Sequence, residues 1–120
     1  MDSIKNKIST TWTSAKLIEN ERNEAMAAEN QKNVDFLQKG VELANWIRHL
    51  QALKASNAEP ERIRNAKRAV NEAFHARQET RAELMITHQV FDVLQEKFNE
   101  AVTEHMDVVR DKKRLCNATN

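Results

Sequence analysis

Leu53–Val70, LKASNAEPERIRNAKRAV, holds the chain's single proline. Directly behind it come four basic residues within seven positions: Arg62, Arg64, Lys67 and Arg68. Ser56-Asn57-Ala58-Glu59-Pro60 interrupts two long segments of helical periodicity. Asn57 can end the first helix or cap the second. Pro60 fits a first helical turn, where its missing N–H would have had no partner anyway. Glu59 and Glu61 complement the positive end of the helix dipole. The stretch therefore predicts a bend over 57–60 between a helix over 14–56 and a helix over 61–115. Folded back there, residue i faces roughly residue 117 − i. The small residues of EAMAAE, 24–29, then lie opposite Phe91, as interdigitated packing requires.

Composition agrees with helix throughout. Glycine and proline occur once each in 120 residues, too few for the turns of a sheet protein. Charged residues make up 31% of the chain, yet the net charge is only +1. Both signs are mixed along a solvated helical surface. No apolar run reaches the length of a membrane span, and MDSIKNKISTTW lacks the apolar core of a secretory leader. Cys116 is the only cysteine, so no internal disulfide can form. These features lead to the expectation of a cytoplasmic, reducing setting.

The second helix carries one unbroken heptad register. Its a positions are Ile63, Val70, Arg77, Leu84, Phe91, Phe98, His105 and Lys112. Its d positions are Ala66, Ala73, Thr80, Thr87, Leu94, Ala101, Val108 and Leu115. The polar Arg77, Thr80 and Thr87 leave room for a kink or break near residues 76–83. The first helix is apolar at Leu17, Ile18, Ala25, Ala28, Phe36, Leu43, Trp46, Ile47, Leu50 and Leu53. STTWTS, 9–14, favours caps over helix interiors, so Ser14 reads as an N-cap and 1–13 as an arm or a short separate helix. Residues 116–120 read as a frayed tail. Gly40 marks close packing against a neighbour. Trp12 and Trp46 read as core packing.

Further apolar residues lie off the main stripes: Val34 and Val41 on the first helix, and Ile86, Val90 and Val93 on the second. Helices apolar on two sides usually bury both. The expected architecture is thus all-α: a long, coiled-coil-like antiparallel helical hairpin forming a single domain. Either the chain breaks into four shorter helices that pack on themselves as a compact monomer, or, the preferred expectation, two hairpins pair into a four-helix bundle, two-fold dimers being the commonest oligomers.

Catalytic signatures are missing. One glycine excludes a phosphate loop and a nucleophile elbow. Glu72-x-x-His75 is a single half of the motif that di-iron bundles use twice. His75/Glu79 and His88/Asp92 read as surface pairs at i, i+4. No enzyme, cofactor, metal, small-molecule substrate or membrane partner is expected. Two functions remain. One is a protein–protein interaction module of adaptor, assembly or inhibitor type that pairs with itself and binds another protein, either through Val34, Val41, Ile86, Val90 and Val93 or, for an acidic partner, through the basic end of the hairpin. The other is a reader of duplex RNA or DNA shape using Arg62, Arg64, Lys67, Arg68, His75 and Arg81. Against the second stands the ordinary behaviour of charge runs, which are mostly solvated faces. RDKKR at 110–114 is explained by a helix C-terminus, which favours cations.

Overall fold

The computed structural model describes residues 2–118. Helix α1 runs Asp2–Ala55 and helix α2 runs Pro60–Ala118. Together they form the antiparallel hairpin. Residues group into two compact units. The bend unit is Ala28–His88. The terminal unit comprises the residues up to Ala27 and those from Gln89 onward.

The bend closes as a Schellman motif. Ala58 N–H donates to Leu53 O at 3.0 Å, and Asn57 N–H to Lys54 O at 3.3 Å. Asn57 takes the left-handed conformation this requires, with φ 52°. Asparagine is one of the few side chains that tolerates it. Asn57 therefore ends α1 and does not cap α2. Pro60 opens α2 as its first residue. The Glu59 carbonyl accepts the first backbone bond, from Ile63 N–H at 3.2 Å.

Burial follows the heptad register of α2 closely. Every a and d position is buried or half-buried except Leu115. The polar members are included: Thr80 is buried at 8% exposure. No break occurs near 76–83, because α2 is continuous. Two contacts accommodate the polar residues there. Thr80 Oγ1 donates to Ala76 O at 2.9 Å within its own helix. Arg77 lays its guanidinium over the Phe36 ring, 4.9 Å from the centroid.

Helix α1 corrects the sequence reading in three places. First, residues 2–13 are not an arm and Ser14 is not an N-cap (Met1 lies outside the described residues). The hydroxyls of STTWTS bond back to their own helix: Thr10 to Asn6 O at 2.8 Å and Thr13 to Ser9 O at 2.9 Å. Ile4 and Ile8 are half-buried and hold these first turns down. Second, the buried stripe is a strict heptad of mixed chemistry. Ile4, Ile8, Thr11, Ala15, Ile18, Arg22, Ala25 and Glu29 begin it. Lys32, Phe36, Lys39, Leu43, Trp46, Leu50 and Leu53 complete it. All but Trp46 are buried or half-buried. Third, several apolar residues of the expected core face are exposed: Leu17, Ala28, Trp46 and Ile47. At the far end α2 continues through Cys116 to Ala118, so 116–118 are not a frayed tail. Residues 119–120 lie outside the described residues.

The pairing rule holds within each unit. In the bend unit Glu29 meets His88 and Lys32 meets Glu83. In the terminal unit Thr11 meets His105, and Arg22 sits 4.3 Å over the Phe98 ring. Of EAMAAE only Ala25 is buried. The buried apolar residues are Ala15, Ala25, Leu43, Leu53, Ala66 and Ala101. Four of these are alanines, so the apolar core of either unit is thin.

Candidate partner-binding surfaces

Side-chain contacts fix how the helices of the bend unit are rotated. On one flank of the seam Glu29 Oε1 accepts from His88 Nδ1 at 2.7 Å. On the same flank Gly40 approaches Arg77, where an added Cβ would stand 3.6 Å from Nε. On the other flank Lys32 Nζ donates to Glu83 Oε2 at 2.6 Å. The Lys32 ammonium is held above its ordinary pKa of 10.5 by that hydrogen bond and by the Glu83 charge.

The first flank holds a groove of about 470 Å³ along α1. Leu37, Gly40, Val41, Ala44 and Ile47 form its wall, with Arg48 and Arg77 at its margin. Leu37 is 64% exposed and Val41 59%. Arg77 Nε is buried and meets no acceptor.

All five apolar candidates are exposed, Val34 and Val41 on α1 and Ile86, Val90 and Val93 on α2. Within the bend unit Val34 and Val41 do not share a patch with Ile86. Val34 and Val41 follow the seam residues Glu29 and Phe36 by five positions. Ile86 and Val93 follow Leu84 and Phe91 by two, which places them on the opposite side of α2's seam. Sequence reasoning missed Leu37 and Phe74, which is 44% exposed. Spacing could have revealed Leu37, since 34, 37, 41 and 44 repeat at three and four residues.

The basic candidates Arg62, Arg64, Lys67, Arg68, His75 and Arg81 are all exposed. None has an ion-pair partner among the described residues. They split between the sides. Arg64, Lys67, Arg68, His75 and Arg81 occupy the groove side, and Arg62 the other. His75 contacts the ring of its neighbour Phe74 at 5.7 Å.

Trp12 and Trp46 are not core residues. Trp12 leans on the His105 ring, 5.5 Å between centroids, with Lys16 Nζ at 5.1 Å. His105 also hydrogen-bonds Thr11 Oγ1 through Nδ1 at 2.7 Å. Trp46 meets His49 edge-on at 5.7 Å and is 42% exposed. Among the described residues no three His, Cys, Asp or Glu side chains gather as metal ligands, and no helix is long and apolar enough to cross a membrane. No family model, curated protein or solved structure matches this chain.

Proposed function

We infer that the chain is a non-enzymatic α-helical interaction protein that binds other helices, one of its partners being a second copy of itself. The observation that carries this reading is an inversion of burial. Charged and small residues (Arg22, Glu29, Lys32, Lys39 and four alanines) occupy the intramolecular seam. Leu17, Leu37, Val41, Ile47, Ile86 and Val93 stay in water. Burying one such side chain is worth about 1.5–3 kcal/mol, which an intermolecular helix contact recovers. Val90 and Val93 on α2 are the surface assigned to the second copy. Sedimentation over a wide concentration range tests the assignment. Wild type associates with concentration, and Val93→Glu shifts it to monomer while far-UV circular dichroism stays unchanged. A monomer at every concentration removes the self-pairing.

A second reading is supported by the unpaired cations. Arg62, Arg64, Lys67, Arg68 and Arg81 carry no intramolecular acid partner, so they are available to phosphates. Duplex RNA and DNA titrated at low and near-physiological salt decide it. Phosphate binding weakens steeply with salt, and neutralising Arg64 and Lys67 lowers the slope by about one per lost phosphate contact.

A further inference from the structure

Charge in the bend unit is sorted across the hairpin, and the apolar groove lies on the basic side. The groove side consists of the positions one, four and five residues after each seam residue of the series Glu29, Phe36, Leu43, Leu50 on α1. On α2 the same positions follow Ile63, Val70, Arg77 and Leu84. No Asp or Glu occurs at any of them between Asn30 and Ala55 or between Arg64 and His88. Glu61, in the first turn of α2, is the nearest acid in sequence. Arg48, Lys54, Arg64, Lys67, Arg68 and Arg81 occupy this side, exposed and without ion pairs among the described residues.

Five carboxylates stand on the other side, Asp35, Glu42, Glu72, Glu79 and Glu83; Glu29 lies in the seam, bonded to His88 on the groove flank, and Glu59 and Glu61 lie at the bend. Two of the five are engaged on their own side, Glu83 with Lys32 at 2.6 Å and Glu42 with Lys39 at 3.6 Å.

We propose that the groove along Leu37, Val41 and Ile47 receives an amphipathic helix of another protein whose apolar stripe is flanked by carboxylates. This rests on the helix-binding reading above and names the chemistry of one partner. Leu37, Val41 and Ala44 recur at helical steps, the pattern that an incoming helix meets when it lies in a groove. The missing side chain of Gly40 lowers the floor midway along. At the margin, Arg77 Nε is buried without an acceptor; turned out from the Phe36 ring, the guanidinium meets an incoming carboxylate in the strong, charge-assisted form.

Charge excludes a second copy on this face. A two-fold pairing brings each patch onto itself, which sets Arg48, Arg64, Lys67 and Arg68 against their own counterparts. Duplex nucleic acid satisfies the cations but leaves Leu37, Val41 and Ile47 in water.

The test uses the full-length protein and three labelled probes read by fluorescence anisotropy. The first is a designed helical peptide of about 18 residues, long enough to run the length of the groove at 1.5 Å per residue. It carries leucines at helical spacing, with glutamates on both flanks of the stripe. The second is the same peptide with lysine for every glutamate. The third is a duplex RNA.

The acidic peptide binds with a micromolar Kd and the lysine peptide at least tenfold more weakly. Val41→Lys weakens the acidic peptide at least fivefold although it adds a cation, because the apolar contact is lost. Arg77→Met, which keeps the packing shape and removes the guanidinium, also weakens it. Equal binding of both peptides overturns the proposal. So does acidic-peptide binding that Val41→Lys leaves unchanged or strengthens, which marks a purely electrostatic surface. RNA that binds more tightly than the acidic peptide and gains from Val41→Lys assigns the face to phosphate and overturns it too. If the acidic peptide fails while self-association through Val93 persists, only this inference falls. If both fail, the helix-binding reading falls with it.

Discussion

Gly40→Ala should stabilise the protein, which is unusual for a change at a half-buried position. Gly40 lies inside α1 with no positive φ, so glycine's conformational freedom serves no purpose there. Alanine is better than glycine in a helix interior by about 1 kcal/mol. The new methyl meets one nearby heavy atom, Arg77 Nε, at 3.6 Å. That is ordinary van der Waals contact, so no strain offsets the gain. Nε already lacks an acceptor, so the methyl removes no hydrogen bond. The expected gain is about 0.7–1 kcal/mol, a rise in Tm of about 3–6 °C for a chain of this size. Thermal and urea unfolding followed by far-UV circular dichroism measure it. Both proteins should be run at several concentrations, because self-association raises apparent stability by mass action. An unchanged or lowered Tm at matched concentration would contradict this expectation. It would mean that Arg77 fills the space above Gly40 more tightly than the hairpin geometry states. The same variant raises the floor of the groove, so stability and binding of the acidic peptide should move in opposite directions.

Leu43→Ala and Leu37→Ala compare seam with surface on one helix. Leu43 is 8% exposed and its truncation should destabilise by about 2–4 kcal/mol; Leu37→Ala should stay within about 0.5 kcal/mol. Equal effects in urea titrations would mean that α1 is rotated differently about its axis. Asn57→Gly relieves the left-handed strain at the bend and should add about 0.5 kcal/mol, visible as a higher urea midpoint; a loss would contradict the Schellman closure. The Lys32–Glu83 pair sets an alkaline dependence. The folded ammonium has a raised pKa, so its stabilisation is complete below pH 10.5 and disappears as pH climbs through the folded value. Glu83→Gln should therefore lose less stability than wild type above pH 10.5, and the difference at neutral pH should shrink with salt. A difference independent of pH would show that the pair contributes nothing.

How far the sequence could be read depended on whether a signal was local. The bend was legible because Asn57 and Pro60 act on their own backbones, whatever surrounds them. The register of α2 was legible because Ile63, Ala66, Val70, Ala73 and the later residues repeat without a slip. A helix commits its polar positions along with its apolar ones, so Arg77, Thr80 and His105 were carried into the seam. On α1 periodicity misleads, because Leu17, Ala28 and Ile47 draw the apolar stripe away from Arg22, Glu29 and Lys32. Which stripe faces α2 is decided by the partner helix. Glu29 is held by His88, Lys32 by Glu83 and Arg22 by the Phe98 ring. None of these pairings is visible from α1 alone.

Residues 2–13 were misread for a related reason. Serine and threonine favour caps in isolation, but bonded back to their own helix and seated on Ile4 and Ile8 they continue it. Two helices, the place where the chain turns and the register of the second helix follow from local signals in the sequence. The rotation of the first helix and the sorting of bend-unit charge into an acidic side and a basic, grooved side arise from contacts between the helices. Periodicity specifies a stripe on one helix; a surface made by two helices exists only once their contacts fix how each is turned.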